Sequence, residues 1–133
     1  MYIDSTVFLI EEDAAVRDAT TISLDMAGFK VEEYTSGKAF LDAYSGDRPG
    51  CILINLGQPE MEGLIIQQEF IRRKISIPII FMTEIASMWD SVLPMQYGAF
   101  CLLEKPISRL LLLENIREAM KQDRGNRSAL NTR

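Results

Sequence analysis

Polar residues follow several short apolar runs in this sequence, and their types suggest phosphate or metal chemistry. Glu11 and Glu12 come directly after one apolar run, Asn55 ends another, Thr83 ends a third and Lys105 follows a fourth. Carboxylates can hold a hard cation such as Mg²⁺, while a hydroxyl and an ammonium can contact phosphate oxygens. If the fold brings these residues to one place, they form a single site.

The apolar runs alternate with helical patterns, which predicts an α/β fold. The predicted strands cover residues 6–10, 30–34, 51–55, 79–83 and 100–103, and the predicted helices residues 14–27, 36–44, 62–74, 86–97 and 108–122. Long crossovers return every strand in the same direction, so the sheet should be parallel and covered on both faces. Such sheets place their sites at the carboxyl ends of the strands.

Length and composition restrict the class of protein further. The chain has 133 residues, of which 47% are hydrophobic and 25% charged, as expected for one globular domain. No apolar stretch approaches the about 20 residues of a membrane span, and the first residues lack an export signal, which predicts a cytoplasmic protein without membrane contact. The absence of histidine argues against Ser-His-Asp and Cys-His hydrolases and most zinc enzymes.

Charge divides the chain into two parts. Acidic residues outnumber basic ones, 19 to 14, but the last eleven residues contain three arginines and one aspartate. Residues 1–122 should therefore repel nucleic acid. The composition of residues 123–133, with Gly, Asn, Ser and Thr among the arginines, predicts a flexible basic linker or tail.

The residues at the strand ends resemble those of the receiver domains of two-component response regulators, most of all the FixJ/NarL kind. In that family an acidic pair follows the first strand, a phosphoacceptor aspartate ends the third, a Pro-x-Met-x-Gly loop follows, a hydroxyl residue ends the fourth, and Lys-Pro follows the fifth. The matching residues are Glu11, Glu12, Asn55, Pro59, Met61, Gly63, Thr83, Lys105 and Pro106. The resemblance covers about residues 5–122. It implies a flavodoxin-like (CheY-like) doubly wound sheet of order 2-1-3-4-5 and a cis peptide before Pro106.

The departures from that pattern bear on function. An aspartate can accept a phosphoryl group because its carboxylate is anionic, whereas Asn55 offers a neutral amide. We therefore expect no phosphorylation at residue 55, no catalytic residue and no enzyme activity. With one carboxylate lost and Glu11 and Glu12 each longer by a methylene than aspartate, no cofactor is expected, and Mg²⁺ binding should be weak or absent.

Two more departures concern how a switch would be transmitted. The family often has Tyr or Phe three residues before the lysine, and this chain has Leu102, which cannot act as an aromatic reporter. Pro94 falls inside the fourth predicted helix, where proline costs about 3 kcal/mol. Both residues are consistent with a relaxed requirement for a phosphorylation switch.

The leading interpretation is an atypical receiver that acts through its surfaces. Expected partners are a sensor histidine kinase or another signalling protein, a second copy bound through the fourth helix and fifth strand, and a DNA-binding output domain after the linker. Met88 and Trp89 in the fourth helix are either partner contacts or ordinary apolar residues. No direct nucleic-acid binding by this domain is expected.

Two alternatives remain open. The chain could be a conventional phospho-accepting receiver whose aspartate was engineered to asparagine. It could also be a small-ligand-binding flavodoxin-like domain, although it lacks a glycine-rich phosphate loop after the first strand.

Two internal arrangements can also be predicted. Cys51 and Cys101 should stay unpaired, because strands three and five lie about 9.6 Å apart, twice the strand spacing, and a disulfide tolerates about 7 Å between Cα atoms. Lys105 should point into the crevice and pair with Glu11, Glu12 or the side chain of Asn55, because an isolated buried ammonium is costly.

Overall fold

A computed structural model describes residues 5–55, 61–84 and 99–131, and in these ranges strands and helices alternate nearly as predicted. The strands are β1 (Thr6–Ile10), β2 (Lys30–Tyr34), β3 (Gly50–Asn55), β4 (Ile79–Thr83) and β5 (Ala99–Glu104), and the helices are α1 (Ala14–Met26), α2 (Gly37–Ala43), α3 (Met61–Arg72) and α4 (Arg109–Asn131). The predicted helix 86–97, with Met88, Trp89 and Pro94, lies outside the described residues. Pro59 lies outside them as well.

The five strands form one parallel sheet of order β2-β1-β3-β4-β5, which confirms the predicted fold class. Ile10 at the end of β1 pairs with Ile54 on one side and Tyr34 on the other. Thr83 at the end of β4 pairs with Glu104 at the end of β5. The carboxyl ends of the strands are therefore level with one another, and the residues that follow them meet at one edge.

Helices cover both faces of the sheet, because every central strand is apolar on both sides. On one face, side chains of β1, β3 and β4 pack against α2 and α3, with Phe8, Phe40, Ile52, Phe70 and Phe81 at the centre. On the other face, the alternate strand residues pack against α1 and α4, with Leu9, Leu24, Leu53, Ile80 and Ile116 at the centre. These two cores hold the strand ends in fixed positions.

The start of α1 is fixed by Asp13, whose Oδ1 accepts hydrogen bonds from the N–H groups of Ala15 (2.9 Å) and Val16 (3.1 Å). This is the usual role of an N-cap aspartate. Because the cap follows β1 by only three residues, Glu11 and Glu12 are held in a short turn between strand and helix.

The last helix corrects one prediction. α4 continues to Asn131, whereas the sequence predicted a helix ending at residue 122 and a flexible segment after it. Asp123, at the predicted start of the linker, is 2% exposed and accepts a hydrogen bond from the N–H of Gly50. A contact across the fold thus stabilises helix where the local composition favours a linker.

In the ranges that the structure describes, no helix is long and apolar enough to cross a membrane.

Candidate functional site at the carboxyl edge of the sheet

Glu11 is the most deeply placed acidic residue of the predicted site. Its N–H donates to the carbonyl of Tyr34 (3.0 Å), which extends the β1–β2 pairing by one residue and fixes the backbone. The residue is only 5% exposed, and its Oε2 accepts a hydrogen bond from the N–H of Asp13 (2.9 Å). Glu12, in contrast, is exposed. The predicted acidic pair therefore contributes one carboxylate to the interior, not two.

Asn55 supplies the second bond to that carboxylate. It ends β3, the neighbour of β1 in the sheet, and its Nδ2 donates a hydrogen bond to Glu11 Oε1. Its Oδ1 is buried and has no hydrogen-bond partner among the described residues. An asparagine amide can donate where an aspartate carboxylate can only accept. Asn55 thus occupies a position beside Glu11 in which a second carboxylate would meet electrostatic repulsion.

Thr83 and Lys105 come from the two strands on the other side of Asn55. Thr83 is 1% exposed, and its carbonyl accepts a hydrogen bond from the N–H of Lys105 (2.7 Å). The Lys105–Pro106 peptide is cis, as the family resemblance implied. The predicted strand-end residues are thus brought together at one edge of the sheet.

The predicted ion pair of Lys105 is wrong. Within the described ranges, its ammonium forms no salt bridge with a carboxylate and no hydrogen bond with the Asn55 side chain. The buried carboxylate is satisfied without Lys105, because Glu11 accepts hydrogen bonds from the Asn55 side chain and the Asp13 backbone, while Glu12 is exposed. The other part of the prediction is confirmed, because Lys105 is half-buried and lines the cleft at the strand ends.

That cleft has a volume of about 690 Å³ and runs from the strand ends between α1 and α4. Its walls are mainly apolar, with most of the polar groups at the strand ends. The lining residues are Val16, Thr20, Asn55, Met82, Glu84, Lys105, Pro106, Ile107 and Leu112. Leu102 is not among them, because it packs against the core on the α2–α3 face. The position where the family often has Tyr or Phe, here Leu102, therefore does not line the cleft.

The residues present do not fit the Mg²⁺ that the receiver fold implies. Magnesium needs near-octahedral oxygen ligands, but Glu11 has both oxygens engaged, and Asn55 turns a donor group toward it. Among the residues that the structure describes, no three acidic, histidine or cysteine side chains are grouped to hold a metal ion.

The two cysteines lie on β3 and β5, with β4 between them, and both are free thiols. This confirms the prediction that they are unpaired. Burial raises the pKa of the Cys101 thiol to about 11 and places that of Cys51 well above its usual range. Neither thiol is a reactive group at neutral pH.

Sequence reasoning missed the Asn55–Glu11 hydrogen bond. The sequence did contain a signal for it: Asn55, a side-chain donor, and Glu11, a carboxylate, come at the ends of two strands that the predicted order makes neighbours. Gly63, which the family motif placed in the loop, lies in the first turn of α3.

The fold and these strand-end residues define a receiver domain of the response-regulator type. A model of the response regulator receiver domain family matches residues 7–117, and the chain belongs to this family.

Curated relatives include the transcriptional regulatory protein TdiR of Thauera aromatica, 32% identical over 90% of this chain and 53% of its own length. FixJ of Bradyrhizobium diazoefficiens is 33% identical over 87% of this chain and 57% of its own length. This chain therefore spans about half the length of these relatives.

Solved structures give the same fold. A low-resolution structure of the response regulator StyR superposes with a TM-score of 0.88 at 29% identity, covering 97% of this chain and 65% of that one. The N-terminal domain of FixJ superposes with a TM-score of 0.77 at 29% identity, covering 89% and 94%. The predicted CheY-like architecture is confirmed.

Proposed function

We propose that this receiver domain regulates through protein contacts and is not switched by phosphorylation of residue 55. The observation that carries the proposal is the hydrogen bond from the Asn55 amide to Glu11. A neutral amide is a poor nucleophile toward phosphorus, and this amide is also engaged as a donor. The site is therefore closed by its own side chains, and no turnover is proposed for it.

Phosphorylation is tested by incubation with acetyl phosphate and Mg²⁺, followed by intact-mass measurement. We expect no species heavier by one phosphoryl group. The matched comparison is Asn55→Asp, which restores the family's nucleophile in an otherwise identical chain; we expect it to be modified only in part, because Glu12 is exposed. A labile adduct mapped to residue 55 of the unchanged protein would refute the proposal and favour a conventional receiver.

Metal dependence provides a second, independent measurement. Since both Glu11 oxygens are engaged internally, millimolar Mg²⁺ should leave the melting temperature of the unchanged protein almost the same. A clear rise of the melting temperature with Mg²⁺ would show that Glu11 and Glu12 still assemble a metal site.

The proposed partners follow from the relatives. TdiR and FixJ are named transcriptional regulatory proteins, and this chain matches 53% and 57% of their lengths. We propose that a DNA-binding output domain follows residue 133 in the complete regulator, that a sensor kinase or another signalling protein docks on the receiver, and that the protein acts in the cytoplasm.

Self-association through the β5 region is part of the same proposal. β5 is an edge strand of the sheet, and its outer side is paired with no other strand of the described sheet. Sedimentation equilibrium over a range of concentrations should show a dimer. A monomer at all concentrations would contradict this part alone.

A second candidate function is the binding of a small amphipathic anion. The observation that favours it is the Lys105 ammonium, which has no ion pair among the described residues and borders a mainly apolar cleft. Anilinonaphthalene sulfonate, which combines aromatic rings with one negative charge, is a suitable probe. Saturable fluorescence enhancement that is lost in Lys105→Met but kept in Lys121→Met would support this function; equal binding by both variants would exclude it.

A further inference from the structure

The last turns of α4 meet the body of the domain at the edge of the sheet opposite the candidate site. Gly50, at the start of β3, donates its N–H to Asp123 Oδ2 over 3.0 Å. Asn55, the site residue, ends the same strand. The segment that the sequence assigned to a linker is therefore bound to the central strand of the fold.

Asp123 is a buried carboxylate with two donors. The residue is 2% exposed, and besides the Gly50 N–H it accepts a hydrogen bond from Arg127 Nε at 2.8 Å. A buried carboxylate is tolerated when it is paired and hydrogen-bonded in this way.

Arg127 extends the contact to the loop before β3. Its Nη1 donates to the carbonyl of Asp47 (3.1 Å) and its Nη2 to the carbonyl of Arg48 (2.8 Å). One guanidinium thus joins three acceptors on two separate segments. We call this set of contacts among Asp123, Arg127 and residues 47–50 the α4 latch.

Glycine at residue 50 is required for this geometry. Its φ is +144°, and an added Cβ would lie 1.9 Å from the carbonyl oxygen of Thr6. Only glycine can therefore bring the N–H of this position to Asp123 without displacing β1.

The local sequence alone does not favour helix beyond Asp123. Gly125, Asn126, Ser128 and Asn131 are poor helix formers, and residues 124–126 and 128 are exposed. An end segment of this composition frays when nothing holds it. Local propensity therefore does not account for the helix observed over these residues.

We propose that the α4 latch makes the connection between the receiver and the following domain a stiff helix, and that opening the latch converts residues 124–131 into a flexible linker. The first part concerns this chain alone. The second part assumes that another domain follows the receiver, and this assumption rests on the function proposed for the protein. Because a helix and a coil of equal length hold two domains at different distances and orientations, the latch sets the geometry of the output domain.

Amide hydrogen exchange of the 133-residue chain, read by nuclear magnetic resonance, tests the proposal directly. The amides of residues 127–131 bond to the carbonyls of residues 123–127 when the helix is formed. Arg127→Met keeps the aliphatic stem and removes all the donors, so exchange at 127–131 should become about tenfold faster or more, given the strength of hydrogen bonds to charged groups. Asp123→Asn, which keeps an acceptor for Gly50, should have a smaller effect.

Lys121→Met is the matched control, because it removes an exposed cation from the same helix outside the latch. It should leave exchange at 127–131 unchanged. In Arg127→Met, exchange at 116–120 should also stay unchanged, which separates local unwinding from global unfolding. Unaltered exchange at 127–131, or equal acceleration in the core, would overturn the proposal. The measurement needs no kinase, phosphate or second domain, so its failure would not bear on the proposed lack of phosphorylation.

Discussion

Two buried carboxylates, one at each edge of the sheet, are stabilised in different ways. At the carboxyl edge, Glu11 accepts from a side-chain amide and a backbone N–H, both neutral. At the amino edge, Asp123 accepts from a backbone N–H and a guanidinium. The comparison shows that Asp123 has its counter-charge in direct contact, whereas Glu11 is hydrogen-bonded but forms no ion pair with a cation of the described ranges.

The difference indicates that replacing Asn55 by aspartate would act on the site through charge more than through shape. Replacing the amide by a carboxylate would add a second anion next to Glu11 and remove a donor, so that a cation would be needed to hold the site together. At the amino edge, the Arg127 guanidinium already supplies the positive charge beside Asp123.

The largest expected effect comes from Gly50, which supplies the donor at the amino edge. Gly50→Ala should lower the free energy of unfolding by about 3 kcal/mol or more, because the new methyl group overlaps the Thr6 carbonyl and residue 50 has a positive φ. Urea denaturation followed by circular dichroism measures the change.

Gly125→Ala is the control for that substitution. Its Cβ would meet nothing within 4 Å, and it lies inside α4, so alanine should raise stability by about 0.5–1 kcal/mol. If both substitutions had the same effect, the close approach at Gly50 would not be what constrains this position.

Asp123→Ala should have the next largest effect, a loss of about 2–3 kcal/mol in the free energy of unfolding. It leaves the Gly50 N–H and the Arg127 guanidinium without their buried acceptor. The double variant Asp123→Ala/Arg127→Met should be less destabilised than the sum of the single changes, because a cation left without its partner is then absent. Additive losses would show that the two side chains act independently.

Asn55→Asp tests the carboxyl edge and should cost about 1–3 kcal/mol at pH 8. The neighbouring Glu11 raises the pKa of the new carboxyl group above its unfolded value, so the loss should be smaller at pH 5, where a protonated carboxyl can donate to Glu11 as the amide did. Denaturation curves at both pH values measure this. Millimolar Mg²⁺ should restore part of the stability of this variant only. A loss that does not depend on pH would contradict the like-charge explanation.

The fold could be predicted because its signals are local. Apolar runs such as Thr6–Ile10 and Ile79–Thr83 identify buried strands by themselves, and Asp13 marks the start of α1. The set of residues gathered at the carboxyl edge could be predicted too, since parallel strands bring their ends to one side.

The remaining features depend on contacts that the sequence does not display. The end of α4 depends on a hydrogen bond between Gly50 and Asp123, which are 73 residues apart. The choice of Asn55 over Lys105 as the partner of Glu11 depends on side-chain geometry at the strand ends, which periodicity does not specify.

Lys105 should give the smallest effect, and it sharpens the comparison between the two edges most directly. The sequence alone predicted that this ammonium pairs with Glu11, Glu12 or Asn55, but it has no ion pair among the described residues. Lys105→Met keeps most of the side-chain volume, so we expect a change within about 0.5 kcal/mol, as for substitutions that break no buried contact.

In the Asn55→Asp background the same change should cost more, because a second carboxylate at the carboxyl edge gives the ammonium a strong electrostatic role. Four unfolding free energies, for the unchanged chain, each single variant and the double variant, yield this coupling. A large loss in the unchanged chain would mean that Glu11 does rely on Lys105, and the contrast with Asp123 would then disappear.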